Sequence, residues 1–274
     1  MPSSITILPL HRWLLWLTLL LLLGGCRQGP DEPVPTIRYR VIKAAQTAFN
    51  GNLTTTYQYD SQNRLVSVTE YPVVADTFAR AIPTAQHTVH YDATLPTRLD
   101  YTDRKLTKPE LDSGELIYGN RRKFVYDTQG RIAIISESKA LNNFSSFRLT
   151  QTFQYEYGSD NLPATLIITG APPLTERNVY VYTFQDANAV HVKLTITSSR
   201  SAEPTLFEYD VPFDNAPGVY TNFFAIYPGI TSFNKNNLIN TNTTHFHDER
   251  GLLVKRVKKG NIADDVTHYT YETY

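Results

Sequence analysis

A short motif recurs along most of this 274-residue chain: aromatic residues at alternate positions run into Asp, and Asn or Gly follows three residues later. The clearest copies lie at 57–65, 124–132 and 245–253, with weaker ones centred on Tyr91, Tyr155, Tyr182 and Tyr209 and a last one at 269–272. The copies are spaced by roughly 30 residues, which is long enough for two strands and their turns. Each copy therefore predicts one β-hairpin.

The residues within one copy explain why it should form a hairpin. Tyr57 and Tyr59 fall on one face of a strand and Gln58 on the other, because strand side chains alternate. Asp60 can bond back to the turn backbone, and Asn63 tolerates the left-handed conformation that tight hairpin loops need. No segment of ten or more residues has a convincing helical period. We expect an all-β fold, an antiparallel β-meander of serial hairpins in one large sheet whose degree of curl is left open.

The first 25 residues have the features of a signal peptide. Residues 13–23 are apolar apart from Thr18, and eleven helical residues rise only about 16 Å, too short for a bilayer core of about 30 Å. The run ends in Leu23-Gly24-Gly25-Cys26, which resembles the lipobox of bacterial lipoproteins. That resemblance implies cleavage before Cys26 and acylation of its thiol. An ordinary secretory signal with a chance Cys nearby is the alternative.

The sequence thus predicts three segments. Residues 1–25 are a lipoprotein signal peptide, and residues 26–36 are the lipidated Cys26 and an extended tether, rich in Pro and charge. Residues 37–274 form a single β-meander domain. The resemblance to bacterial lipoproteins also implies outer-membrane delivery, because Arg27 follows the Cys. We therefore expect a cell-envelope protein held at the outer membrane by acyl chains, with the choice of leaflet left open.

The repeat itself resembles the YD (RHS-like) repeat, whose ideal form is Tyr-Asp-x-x-Gly-Arg-Leu. The chain is most similar to the YD-type β-meander lipoproteins of Bacteroidetes, a group without an assigned activity, and the resemblance covers 37–274 loosely. Only the copies at Asp60 and Asp127 have the acid, the turn residue and the Arg together, because Leu252 stands at the Arg position of the copy at Asp248. The resemblance implies a scaffold and supplies no mechanism.

Charge and cysteine content exclude several classes of function. The chain has 26 basic and 26 acidic residues, which argues against a nucleic-acid partner because such proteins usually present a basic surface. Its single Cys excludes an intramolecular disulfide. The sequence has no nucleophile elbow, phosphate loop or dinucleotide fingerprint. The acidic pairs 248–249 and 264–265 are expected in exposed turns, where paired carboxylates are rarely catalytic.

Two histidines near the C-terminus have a spacing that zinc sites use. His245 and His247 place two imidazoles on one face of a strand. Both occupy tyrosine positions of the repeat, however, and the same alignment places His268 on the face opposite Tyr269 and Tyr271. Three imidazoles cannot converge there without a register shift, which a half-buried sheet resists. We expect no metal site and no cofactor.

The segment 210–241 breaks the rhythm of the hairpins. It is rich in aromatic residues, and its strongest candidates for a role are Tyr220, Phe223, Phe224 and Tyr227. Long loops are often functional, and exposed aromatic rings can bind sugars or peptides. A single sheet must also cover one face. These four residues are therefore either a contact patch or a cap over the sheet, and for Phe224 we expect the cap.

Taken together, these features predict a lipid-anchored envelope protein that is non-catalytic and acts in binding or surface structure. Its expected partners are the membrane, through the acyl chains, and an envelope protein or glycan. The alternatives are a hydrolase of envelope glycan or peptidoglycan, which would need two facing carboxylates in a deep pocket, and an accessory subunit of an outer-membrane transport complex.

Overall fold

The computed structural model describes residues 38–49, 51–72, 83–103, 118–141, 146–173, 175–199, 201 and 203–274. The expected signal peptide, Cys26 and the tether lie outside these residues, so those three expectations remain predictions.

Strands make up most of the described chain. They are β1 (Tyr39–Ala48), β2 (Gly51–Tyr59), β3 (Leu65–Pro72), β4 (Ala85–Asp92), β5 (Leu95–Asp103), β6 (Tyr118–Tyr126), β7 (Ile132–Leu141), β8 (Ser146–Tyr157), β9 (Pro163–Gly170), β10 (Arg177–Gln185), β11 (Asn188–Thr197), β12 (Thr205–Asp210), β13 (Phe213–Pro217), β14 (Asn236–Leu238), β15 (Thr243–His247), β16 (Leu253–Lys258) and β17 (Asp265–Thr273). The helical structure within the described ranges is one 3-10 turn, Ile230–Ser232. In this part of the chain no helix has the length and apolar character needed to cross a membrane.

Fifteen of these strands form one antiparallel sheet, which confirms the predicted meander. Its order is β12-β11-β10-β9-β8-β7-β6-β5-β4-β3-β2-β1-β17-β16-β15. The chain runs outward from β1 to the edge strand β12, one hairpin after another. It then returns to the opposite edge as β15. The last strand, β17, pairs with β1, with Tyr39 opposite Thr273. The sheet is open, with β12 and β15 at its two edges.

The return between the two edges is made by residues 211–242, which we call the crossover segment. It contains β13 and β14, which pair only with each other, and the 3-10 turn. Val219, Ala225 and Ile226 from this segment are buried in the same hydrophobic cluster as Leu99 and Ile135 from the sheet. The core therefore lies between one face of the sheet, here called the covered face, and the crossover segment.

The hairpin turns explain the acid and the turn residue of the motif. The Asp60 Oδ1 atom accepts hydrogen bonds from the backbone N–H groups of Gln62 and Arg64, both at 2.9 Å. Asn63 has a φ of 62°, a left-handed conformation that Asn adopts more readily than most residues. The copy at Asp127 repeats this geometry, with Gly130 at a φ of 76°. Each turn is thus closed by its own side chain.

The tyrosine and the arginine of the motif connect one hairpin to the next. The Tyr91 hydroxyl donates to the Leu65 carbonyl oxygen at 2.9 Å, and the Arg64 guanidinium lies 4.6 Å from the centre of the Tyr91 ring. The same hydroxyl-to-carbonyl contact recurs across the sheet, in Tyr59–Val41, Tyr126–Pro96, Tyr157–Ile132 and Tyr271–Leu253. The motif therefore stabilises the stacking of hairpins as well as each turn.

The third clear copy keeps its ion pair although its arginine is displaced in sequence. Leu252 occupies the usual Arg position and is buried. Arg250, two residues earlier, donates from Nε to the Asp248 Oδ2 atom at 2.8 Å, and its guanidinium lies 4.9 Å from the centre of the Tyr39 ring. A neighbouring position thus supplies the same contact to the turn and also reaches β1, which lies beyond β17 in the sheet.

Candidate functional site

The four aromatic residues predicted as a cap or a contact patch all lie against the core. The ring centre of Phe223 is 5.8 Å from that of Tyr57, and Phe224 meets Phe124 edge-to-face at 6.4 Å. Tyr220 packs against Tyr227 at 4.9 Å, and burial raises the pKa of the Tyr227 hydroxyl to about 12. Their packing is that of a cover for the sheet.

A partly buried ion pair ties this part of the crossover segment to the sheet. The Arg122 Nε atom donates to the Glu137 Oε2 atom at 2.6 Å, and both side chains are mostly shielded from solvent. The same guanidinium donates through Nη1 to the carbonyl oxygens of Ile226 at 2.6 Å and Ala225 at 3.2 Å. Arg122 thus satisfies backbone groups that the irregular segment cannot pair internally.

A cleft of about 470 Å³ opens where the crossover segment passes the strands nearest the β12 edge. We call it the tyrosine cleft. Its sheet wall is formed mainly by Tyr180, Tyr182, Val192 and Tyr209, and its other wall by residues of the crossover segment, among them Pro228, Ile230, Leu238 and Asn240. Tyr180 and Tyr182 face the cleft because they alternate with Val181, which is exposed. Their rings are nearly parallel, 6.2 Å apart.

A few polar residues border the tyrosine cleft. Asp210, Thr231 and Asn240 are among its lining residues. The Asp210 carboxylate accepts a hydrogen bond from His191 Nδ1 at 2.7 Å and is otherwise open to solvent. A hydrogen bond to Asp210, and to a smaller extent one to Glu208, raises the pKa of His191 above its usual value. The Asp210 carboxylate thus lies with His191 on the face of the sheet opposite Tyr209 and Val192, so the cleft combines aromatic faces with the Thr231 hydroxyl and the Asn240 amide.

A second cluster joins the predicted histidines to a residue that the sequence analysis missed. His245 Nδ1 and His247 Nε2 both contact the Asp214 Oδ2 atom, at 2.8 Å and 3.1 Å. Asp214 lies in β13, 31 residues before His245. His268 is exposed and pairs with Lys255 in the sheet register, on the face opposite the buried Tyr269. The separation of His268 from the other two histidines thus agrees with the repeat alignment.

The acidic residues do not form an evident pair of catalytic carboxylates in the described ranges. Asp248 accepts a hydrogen bond from Arg250 within its hairpin turn, and Asp264 forms an ion pair with the Lys259 Nζ atom at 2.7 Å. A cleft of about 410 Å³ is lined by both Glu137 and Glu176. The Glu137 carboxylate is engaged by Arg122 and by the Gln151 side-chain amide, so it already has a structural role.

Comparison with known proteins identifies the fold and no family. No family model matches the chain, and no curated protein matches it. A solved porin-like protein from Bacteroides uniformis is similar in structure, with a TM-score of 0.50 and 13% sequence identity over 85% of this chain and 98% of that one. A TcdB2-TccC3-TEV structure matches at a TM-score of 0.19 and 10% identity, over 78% of this chain and 18% of that one. The first likeness concerns the fold alone, and the second supports no argument.

Proposed function

We propose that this chain is a lipid-anchored protein of the cell envelope that acts by binding, and that its ligand occupies the tyrosine cleft. Three observations support an envelope location: the signal-like N-terminus, the lipobox-like Leu23-Gly24-Gly25-Cys26, and a fold similar to that of a porin-like bacterial protein. The resemblance of the hairpin motif to YD-type lipoproteins agrees with the same location.

The tyrosine cleft is the observation that carries the binding function. Ligand sites are typically concave, about 300–1,000 Å³ in volume, mostly apolar, and provided with a few polar groups that fix orientation. At about 470 Å³, with the rings of Tyr180, Tyr182 and Tyr209 on one wall, this cleft meets that description. Its sheet wall belongs to the hydrogen-bonded strands β9–β12, so the site is formed before a ligand arrives.

The chemistry of the lining favours an envelope glycan as the ligand. A sugar ring presents an apolar face, which can lie on a tyrosine ring, and hydroxyl groups at its edge. The Asn240 amide in the cleft lining can both accept from and donate to such hydroxyls, and so can the Thr231 hydroxyl. Because the cleft is open to solvent, it can also admit one part of a longer polymer.

Calorimetric titration with soluble peptidoglycan and lipopolysaccharide fragments tests this function. The variant is Tyr209→Ala, because Tyr209 lines the cleft and is 47% exposed, so its removal should spare the core. The matched control is Tyr274→Ala, a tyrosine of 46% exposure that lies outside the cleft. We expect Tyr209→Ala to weaken binding about tenfold or more, as loss of an interface anchor does, and Tyr274→Ala to leave it unchanged.

Two results would contradict the proposal. Equal affinity of both variants and the unchanged protein would place the ligand elsewhere. Release of new reducing ends or free peptides during the titration, abolished by Glu137→Gln, would indicate hydrolysis at the cleft that Glu137 and Glu176 line.

A further inference from the structure

The cluster of Asp214, His245 and His247 has the composition of a metal site. It offers two imidazole nitrogens and one carboxylate oxygen, and these three atoms all lie within 4.8 Å of one another. Zinc sites use this ligand set, with the remaining position taken by water or a substrate. The two histidines come from one strand at alternate positions, and the carboxylate comes from the crossover segment. The third ligand is thus the Asp214 carboxylate, whereas the sequence alone offered His268, which lies on the opposite face.

Two of the three distances between ligand atoms are close to those around a tetrahedral ion, and the third, between the two imidazole nitrogens, is within 4.8 Å. Zinc bonds of about 2.0–2.1 Å place tetrahedral ligand atoms about 3.3 Å apart. The contacts from His245 and His247 to the Asp214 Oδ2 atom measure 2.8 Å and 3.1 Å, so the ligands would separate by only about 0.2–0.5 Å to admit the ion. Small side-chain rotations supply such a change.

Hydrogen bonds from two backbone N–H groups fix the orientation of the Asp214 carboxylate. The Asp214 Oδ1 atom accepts hydrogen bonds from the backbone N–H groups of Ala216 at 3.0 Å and Asn237 at 3.1 Å. The Oδ2 atom faces the two imidazoles and also accepts a hydrogen bond from Asn237 Nδ2 at 3.2 Å. Bonds of this kind to a ligating carboxylate fix its orientation and strengthen metal binding.

Burial of the cluster also fits a metal that links two elements. The side chains of Asp214 and His245 are 7% and 5% exposed, while His247 is 29% exposed and gives access from solvent. The His245 Nε2 atom is buried and has no hydrogen-bond partner in the protein, and His245 borders a cavity of about 210 Å³. That cavity has room for a water to accept from Nε2 when Nδ1 binds a metal.

We propose that Asp214, His245 and His247 bind one Zn²⁺ ion, which links the small β13–β14 sheet to the edge strand β15. The site is independent of the tyrosine cleft. The ion would replace the hydrogen bonds between the imidazoles and the carboxylate, with His245 bound through Nδ1 and His247 through Nε2.

The test uses the full-length protein in detergent, purified without a polyhistidine tag and stripped with a chelator. Zinc alone is the probe, measured by calorimetry and by metal analysis after dialysis. We expect one zinc per chain and a melting temperature that rises with zinc concentration, because the ion binds the folded state. His247→Gln, at the most exposed ligand, should weaken binding about tenfold or more, while His268→Gln on the opposite face should bind as the unchanged protein does.

Asp214→Asn should also lose zinc. Because Asp214 is buried, this variant could fail to fold, and His247→Gln, at a more exposed ligand, then provides the test. Absence of bound zinc in the unchanged protein would overturn the proposal. So would zinc binding that His247→Gln leaves intact, or that His268→Gln abolishes, since either result would place the ion at other groups.

Discussion

Substitution of Phe224 by alanine tests whether the crossover segment is a structural cover. Its ring lies edge-to-face against Phe124, 6.4 Å between centres, and packs on the main hydrophobic cluster. Removal of a buried phenylalanine side chain typically costs about 3–5 kcal/mol. Phe224 is only partly buried, so the lower end applies, and we expect a loss of about 3 kcal/mol, of which about 0.5–1.5 kcal/mol is the ring pair.

The assay is denaturant unfolding followed by circular dichroism, because both Trp residues lie within the expected signal peptide. The midpoint should fall while the slope with denaturant concentration stays constant, since the folded surface changes little. The matched control is Phe49→Ala, whose ring is 64% exposed. It should change stability by less than about 0.5 kcal/mol.

Equal stability of the Phe224→Ala and Phe49→Ala variants would refute the structural reading of this residue. If Phe224→Ala also removed glycan binding without loss of stability, Phe224 would belong to a contact patch, and the cap interpretation would be wrong.

Three further predictions concern other parts of the chain. Mass spectrometry of the N-terminal peptide should find an acylated Cys26 at the mature N-terminus, and Cys26→Ser should leave the precursor uncleaved; an unmodified Cys26 would contradict this. Burial, with the charge of Arg122, lowers the pKa of His87 to about 4. Between about pH 6.5 and that value the unfolded chain therefore binds more protons than the folded chain, and the free energy of unfolding decreases as the pH is lowered, by about 3 kcal/mol in all. The variant His87→Phe should flatten this slope in unfolding experiments at pH 7 and pH 4, and an unchanged slope would contradict the assignment. Asp127→Ala should speed hydrogen exchange of the backbone amides of Gln129 and Arg131, because these amides donate to the Asp127 carboxylate. The control is Asp92→Ala in a weaker copy of the motif. An equal increase of amide exchange in the turn that follows Asp92 would argue against a special role for the acid of the clear copies.

The hairpins were predictable because their information is local. Asp60 and Asn63 lie within one turn, so their spacing alone indicates the hydrogen bonds and the left-handed backbone that the structure has. The contact of Arg64 with Tyr91 was less accessible, since it joins two copies of the repeat. The displaced arginine, Arg250, shows the limit of motif matching: its guanidinium reaches Asp248 from a different position.

The site residues were largely unpredictable because they depend on the path of the crossover segment. Nothing near Asp214 in sequence marks it as a partner of His245, and their contact forms only when β13 lies beside β15. Tyr182 and Tyr209 were recognised as weak copies of the repeat and nothing more. They line a cleft because of where the crossover segment passes the sheet, which local patterns do not encode.

Site-specific photo-crosslinking on intact cells tests the central proposal, binding in the tyrosine cleft, most directly. A benzophenone amino acid replaces Thr231, which is exposed and lines the cleft. The control replaces Thr183, which is exposed and follows Tyr182 on β10, so it points to the opposite face of the sheet. We expect position 231 to capture an envelope glycan, identified by the mass of the crosslinked peptide, and position 183 to capture none. Capture at position 183 alone, or the same products at both positions, would contradict it.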